Sequence, residues 1–289
     1  MASLKDVRLK IAGVTKTRQI TKAMYMVASA KLRGAQQRID RFRPYADKFY
    51  DMLGNLGGKA VDAAHPLLEV RQGAGDTGIV LCTSDRGLCG GFNANITAAA
   101  MKFAAEKSAA GNKVAFYCLG RKGRDAARSL GYEIPLGLIG HMNSPGYDLA
   151  SETGVRVIDD FLSGVLDEVH LFYGEFISLA RQKPAEIRLL PIAADDAPDE
   201  KTTVDYIYEP AVAELLNELL PRYIKVQIYR ALLDTSAGEN AARMQAMDNA
   251  TRNCDEMIRG LTLLMNKTRQ AAITNELIDI VGGVEALKG

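Results

Sequence analysis

Apolar and small residues recur in alternating steps of three and four along positions 1–56: Leu4, Val7, Ile11 and Val14, then Tyr25, Ala28, Leu32, Ala35, Ile39, Phe42, Ala46, Phe49, Leu53 and Leu56. Such spacing predicts a long helix with a coiled-coil seam. The frame passes through Arg18 and Thr21, where the seam turns polar. Ile20, Met24 and Val27 form a second apolar stripe, about 100° around the helix from the first. One face serves a partner helix and the other is spare.

A matching frame fills the other end of the chain: Leu216, Leu219, Tyr223, Val226, Arg230, Leu233, Ala237, Asn240, Met244, Met247, Thr251, Cys254, Ile258, Leu261 and Met265. Polar members of a seam fix register at some cost in stability. A closed domain inserted between the helices requires them to run antiparallel with Leu56 beside Leu216, and Met1 then falls near Ala271. The C-terminal helix therefore outruns its companion. Its overhang carries Ile273, Leu277, Ile278, Ile280, Val281, Val284 and Leu287 around most of its circumference. A helix apolar all round is normally buried, so the overhang is expected to be covered by other chains. Pro221, Gly238 and Gly260 are the positions at which the long helix could bend.

Between the helices the texture changes. Short apolar runs at 77–83, 113–119 and 168–176 alternate with helical stretches near 94–109, 121–130 and 152–164. That rhythm predicts βαβ crossovers around a parallel sheet, a Rossmann-like domain. Residues 186–192 and 204–210 would add late strands, and the acidic segment 193–201 reads as a solvated loop. The expected organisation is an α+α/β chain: an N-terminal coiled-coil helix over 1–56, an inserted α/β domain over 57–210, and a C-terminal helix with a protruding tip over 211–289.

Composition narrows the function classes. The net charge is +1, with 47% hydrophobic and 25% charged residues, which gives no global sign of nucleic acid or membrane. Locally, positions 1–56 hold twelve Lys and Arg against four Asp, a basic rod suited to an acidic partner. A DNA- or RNA-binding coiled coil fits less well, because positions 211–289 are near neutral, with nine basic and ten acidic residues. Cys82, Cys89, Cys118 and Cys254 show no zinc or redox spacing and read as reduced thiols. The N-terminus shows neither signal nor transit pattern, and no apolar run approaches the roughly 18 residues of a membrane span.

The sharpest local motif is SDRGLCGGFN at 84–93, a glycine-rich turn between a strand and a helix. Gly87, Gly90 and Gly91 fit neither dinucleotide nor P-loop spacing, and no Lys-Ser/Thr follows. It reads as a structural turn. His65, His141 and His170 are scattered, and no nucleophile elbow or zinc-protease motif occurs. No catalytic residue, cofactor or metal is expected. A nucleotide-binding α/β enzyme with a coiled-coil arm is the alternative.

Taken jointly, ITKAMYMVASAKLR (20–33), SDRGLCGGFN (84–93), YIYEP (206–210), ENAARMQAM (239–247) and NKTRQAAITNELIDIVGG (266–283) resemble the gamma subunits of bacterial F-type ATP synthases. The resemblance implies the central rotor shaft of a proton-translocating ATP synthase, a non-catalytic subunit that couples rotation of the membrane c ring to the catalytic beta subunits. Its partners would be a ring of three alpha and three beta subunits, the epsilon subunit and the c-subunit ring. Its place would be the cytoplasmic face of the bacterial inner membrane, peripherally, with no span of its own.

By the same resemblance, Lys22 and Met24 would meet the beta subunit. Arg269, Gln270, Thr274 and Glu276, together with the apolar Ile273, Leu277, Ile280 and Val281, would engage the far end of the alpha/beta ring. Arg243 and Met247 would lie on the coupling segment of the long helix. Tyr206, Tyr208 and Glu209 would form the foot against epsilon and the c ring.

Overall fold

The computed structural model describes residues 4–60, 65–71, 75–192 and 212–286. Helix α1 runs Leu4–Ala60 and helix α5 runs Val212–Ala286. Pro221 lies within α5, which also continues through Gly238 and Gly260. Between them come strands β1 (Thr77–Cys82), β2 (Val114–Leu119), β3 (Glu133–Leu138), β4 (Glu168–Ser178) and β5 (Arg181–Leu190), with helices α2 (Phe92–Ala109), α3 (Arg121–Ser129) and α4 (Tyr147–Leu162). Contacts divide the chain into two compact units, one of Met1–Ala28 with Met244–Gly289 and one of Ser29–Arg243.

Within Ser29–Arg243 the strands form one sheet in the order β3-β2-β1-β4-β5. The first four are parallel, as the crossovers require, but β5 returns antiparallel to β4 through a tight hairpin. The expected parallel sheet thus forms the first four strands, and the late strand adds an antiparallel edge. Its hairpin edge begins at Arg181, five positions before the apolar run that announced it. Strand β3 was not anticipated, because Pro135 and Gly137 weaken the pattern; an edge strand tolerates both, since one side of it needs no ladder partner. The expected strand at 204–210 and the acidic loop at 193–201 lie outside the described residues.

Alternation along β1 splits the core in two. Val80 and Cys82 join α4 and the first turns of α5, around Tyr117, Phe161, Ile224, Ile228 and Leu232. Ile79 and Leu81 face α2, around Phe92, Ile96, Phe116 and Phe172. Burial on both faces explains why β1 and β2 read as continuous apolar runs.

The antiparallel register can be measured in each unit. In the unit of the two chain ends, the Thr21 and Thr251 hydroxyls meet at 2.8 Å and the Arg18 guanidinium donates to Asp255 at 2.9 Å. Within Ser29–Arg243, Phe42 packs edge-on against Tyr229 at 4.8 Å. Paired residue numbers sum to 272, 273 and 271, matching the sum of 272 for Leu56 with Leu216. Every described N-terminal seam residue from Leu4 to Phe49 is buried or half-buried. One frame member departs: Arg230 is exposed, because Tyr229 takes the inward place against Phe42. From Ala231 to Ala241 the helix is buried at every position but the half-buried Asp234. Burial raises the Asp234 carboxyl to about 6, against the pull of Arg230 and Arg43.

Candidate partner-binding surfaces

Among the described residues, two surfaces in the unit of the chain ends lack intrachain cover. The first is the end of α5. All sixteen residues from Arg269 to Val284 are exposed, including Gln270, Thr274 and Glu276. Ile273, Leu277, Ile278, Ile280 and Val281 are each half or more exposed, at 50–62%. The seam register explains why: with paired numbers summing to about 272, the first described residue of α1, Leu4, lies opposite position 268. Beyond that, no described residue of α1 accompanies α5 over its remaining five turns or so. The Thr274 hydroxyl donates back to the Gln270 carbonyl at 2.9 Å. The unmet requirement is apolar burial.

The second surface is the outward face of α1. Ile20 and Val27 are 60% and 56% exposed, Lys22 is exposed, and Met24 is half-buried. Lys5, Arg8, Lys10 and Lys16 are also exposed, so the face is basic with apolar knobs. Leu9, Met26, Met257 and Leu263 are further exposed apolar residues that the sequence reading did not single out. Their signal was available: each is a large apolar side chain that falls outside the seam frame.

The two candidates on the coupling segment are not free. Met247 is buried as a seam residue, and Arg243 is 9% exposed. Arg243 donates to Glu239 at 2.5 Å and to the Gly87 carbonyl at 3.2 Å. Tyr206, Tyr208 and Glu209 lie outside the described residues.

The glycine-rich loop proves to be the turn its spacing suggested. Asn93 Oδ1 accepts from the Ser84 backbone at 2.9 Å, and Asn93 Nδ2 donates to the Ser84 hydroxyl at 2.7 Å. Gly90 and Leu88 both take positive φ, 58° and 63°. At the N-terminus of α3, where unpaired backbone N–H groups favour an anion, the chain supplies its own carboxylate. Asp85 accepts from the backbone N–H groups of Arg121 (3.1 Å), Gly140 (2.9 Å) and Met142 (3.1 Å). Burial raises the thiols of Cys82, Cys89 and Cys118, the last to about 12, which makes them poor nucleophiles. Among the described residues, no cluster of three or more His, Cys, Asp or Glu could hold a metal, and no helix is long and apolar enough to cross a membrane.

Comparison with known proteins gives a consistent result. The family model described as ATP synthase matches residues 3–287. The ATP synthase gamma chain of Nitratidesulfovibrio vulgaris Hildenborough is 62% identical over the whole of both chains, and that of Lawsonia intracellularis is 55% identical, again over both in full. Among solved structures, the central stalk and c ring of Tetrahymena thermophila mitochondrial ATP synthase supplies a chain with a TM-score of 0.59 at 25% identity, covering 80% of this chain and 99% of that one. A chain of Euglena gracilis mitochondrial ATP synthase reaches 0.69 at 21% identity, covering 98% and 94%, a likeness of fold.

Proposed function

The chain belongs to the ATP synthase gamma-chain family, and from that premise we propose how its surfaces are used in the central stalk of a rotary F-type ATP synthase. It is a non-catalytic subunit; ATP is made and hydrolysed on beta subunits. Its partners are the alpha and beta subunits, epsilon and the c ring, and its association with the membrane is peripheral, through the complex.

The reading rests above all on one observation: sixteen successive exposed positions at the end of α5 that include six large apolar side chains. We assign Ile273, Leu277, Ile280 and Val281, with Arg269, Gln270, Thr274 and Glu276, to the alpha/beta ring, which supplies the missing apolar cover. Lys22 and Met24 face an acidic segment of beta. Tyr206, Tyr208 and Glu209 are assigned to the foot against epsilon and the c ring. The division into a helix over 1–56, an α/β domain over 57–210 and a helix over 211–289 accompanies these assignments, as does the cytoplasmic face of a bacterial inner membrane.

Mechanism follows from asymmetry. A shaft presents different side chains to each of three otherwise identical catalytic subunits, so each is biased toward a different conformation by differential contact free energy. A linkage of about 1–3 kcal/mol between rotor angle and nucleotide affinity is typical of coupled sites. Turning the shaft thus changes affinity at each site, and nucleotide binding in turn drives the shaft.

Reconstitution tests this directly. The purified chain alone should hydrolyse no ATP, whereas the chain combined with alpha and beta subunits should rotate a bead attached to its α/β domain when ATP is added. ATP hydrolysis by a hexamer carrying this chain, without bead rotation, would sink the shaft reading. A second expectation concerns Met24→Lys, which places another positive charge two positions from Lys22 on the basic face. Stronger attraction to an acidic partner holds one rotor angle too firmly, so ATP synthesis should fall about tenfold while hydrolysis falls less. Unchanged synthesis would argue that this face meets no charged partner.

A further inference from the structure

The unit Ser29–Arg243 contains a feature of α5 that neither the seam nor the exposed surfaces account for. Thr235, Gly238, Glu239, Ala242 and Arg243 fall on one face of the helix, and that face meets the end of β4 and the β1–α2 loop. The Gly174 N–H donates to the Thr235 hydroxyl at 3.4 Å. Phe92 fills the notch left by two glycines: a Cβ on Gly238 would come within 2.8 Å of its ring, and one on Gly174 within 2.5 Å. Ala242 packs on the same cluster.

Beside this notch sits a buried ion pair. The Glu239 side chain is 3% exposed and that of Arg243 11%. Burial pushes the Glu239 carboxyl up, while Arg243 and the Ser84 hydroxyl hold it down toward the ionised form. Ser84 has one proton to give, to Glu239 or to the Arg86 carbonyl at 2.6 Å, and Arg243 extends the contact to Gly87. The loop that offers these groups is itself fixed by Asn93 and Asp85.

A buried pair of this kind contributes little net stability, because desolvation offsets the attraction; what it resists strongly is separation. On the side toward the seam α5 presents buried Ala237, whose register partner on α1 is buried Ala35, and two facing methyl groups do little by themselves to oppose turning of the helix about its own axis at this level. One residue of slippage is about 100° and would strand Glu239 and Arg243 unpaired.

We propose that Glu239, through Arg243, Ser84 and Gly87, is a positioning residue that keys the rotation of α5 about its own axis to the α/β domain, so that torque passes between them without slip. The proposal rests on the shaft reading above. Its content is local: a charged key at Glu239 and Arg243, seated beside the steric notch at Gly238.

The test uses full-length chain assembled with alpha and beta subunits, carrying a bead on Lys102→Cys of α2, with the half-buried Cys254 replaced. Thermal unfolding of the assembled complex and the angular variance of the bead during pauses are measured together. Glu239→Leu with Arg243→Met removes the charges but keeps the bulk. It should leave the unfolding midpoint within a few degrees of wild type and raise the variance about threefold. Glu239→Asp, which retains the pair, should restore most of the stiffness. Wild-type variance in the double variant would overturn the key, as would a rise that merely follows a lowered midpoint. Should the double variant not assemble, Glu239→Gln decides by the same variance. If the wild-type chain itself does not rotate in the same preparation, the shaft reading and the key fall together; rotation with unchanged variance removes the key alone.

Discussion

Removing residues 272–289 is expected to weaken assembly with the alpha and beta subunits by roughly 10- to 100-fold and to impair coupled synthesis, while the five-stranded sheet unfolds at its wild-type denaturant midpoint. The cut falls beyond the last residue that can pair with α1, so no seam contact is lost. What is lost is apolar surface that no described residue of this chain covers. Six large side chains, each about half exposed, would gain on the order of 5 kcal/mol on full burial. Part of that is offset by the cost of ordering both partners, which leaves about 1.5–3 kcal/mol and hence the affinity range above. Two titrations separate the alternatives: binding of the truncated chain to the hexamer, and urea unfolding of the truncated chain alone. Wild-type affinity would mean that the tip stands free in the assembly. A lowered urea midpoint would mean instead that the tip contributes to the fold of its own chain.

The tip was legible because it follows from arithmetic on a periodic pattern. Seam positions repeat in steps of three and four, and one alignment, Leu56 with Leu216, determines every other pair. Thr21 with Thr251 and Phe42 with Tyr229 then fall where the sum requires. Strands β1 and β2 were legible for a related reason: burial on both faces gives continuous apolar runs that no surface element would carry. Three things escaped. Strand β3 hid behind Pro135 and Gly137, which an edge strand admits. The direction of β5 depends on a hairpin whose turn is closed by side-chain bonds from Gln182 to the Ser178 and Leu179 carbonyls, a long-range outcome that local pattern does not encode. Arg230 sat in frame but turned outward, because an ideal helix drifts by about 20° per heptad from a strict seven-residue repeat and Tyr229 made the better aromatic contact.

Function was less evenly legible. The apolar tip could be found from periodicity, and the basic face from charge. The Glu239–Arg243 pair could not, since a glutamate four residues before an arginine on a helix is ordinarily a solvated surface pair. Only the fold places the β1–α2 loop over it. Arg243 shows the same effect from the other direction: a residue matched by resemblance to partner coupling is engaged within its own chain, with Glu239 and Gly87.

Gly120→Ala is expected to destabilise the α/β domain by about 3–5 kcal/mol, a large fraction of the 5–15 kcal/mol typical of a folded domain. Gly120 joins β2 to α3 with φ 106° and ψ 147°, a region open in practice to glycine alone. A Cβ there would lie 2.1 Å from the Thr83 carbonyl oxygen, which is backbone and cannot turn aside. Relief requires moving the end of β1, yet Thr83 is tied on three sides. Its N–H donates to the Leu119 carbonyl at 2.8 Å, its hydroxyl accepts from the Gly123 N–H at 2.8 Å, and its chain neighbour Ser84 opens the loop that receives Arg243. Gly111→Ala is the matched control, since Gly111 has a similar φ of 93° but open space where its Cβ would stand. It should cost only the conformational strain, about 1–2 kcal/mol. Urea unfolding of both variants measures the difference. Equal losses would show that strain alone governs both sites, and that the close approach of β1 to the start of α3 contributes nothing to holding the loop beneath Glu239.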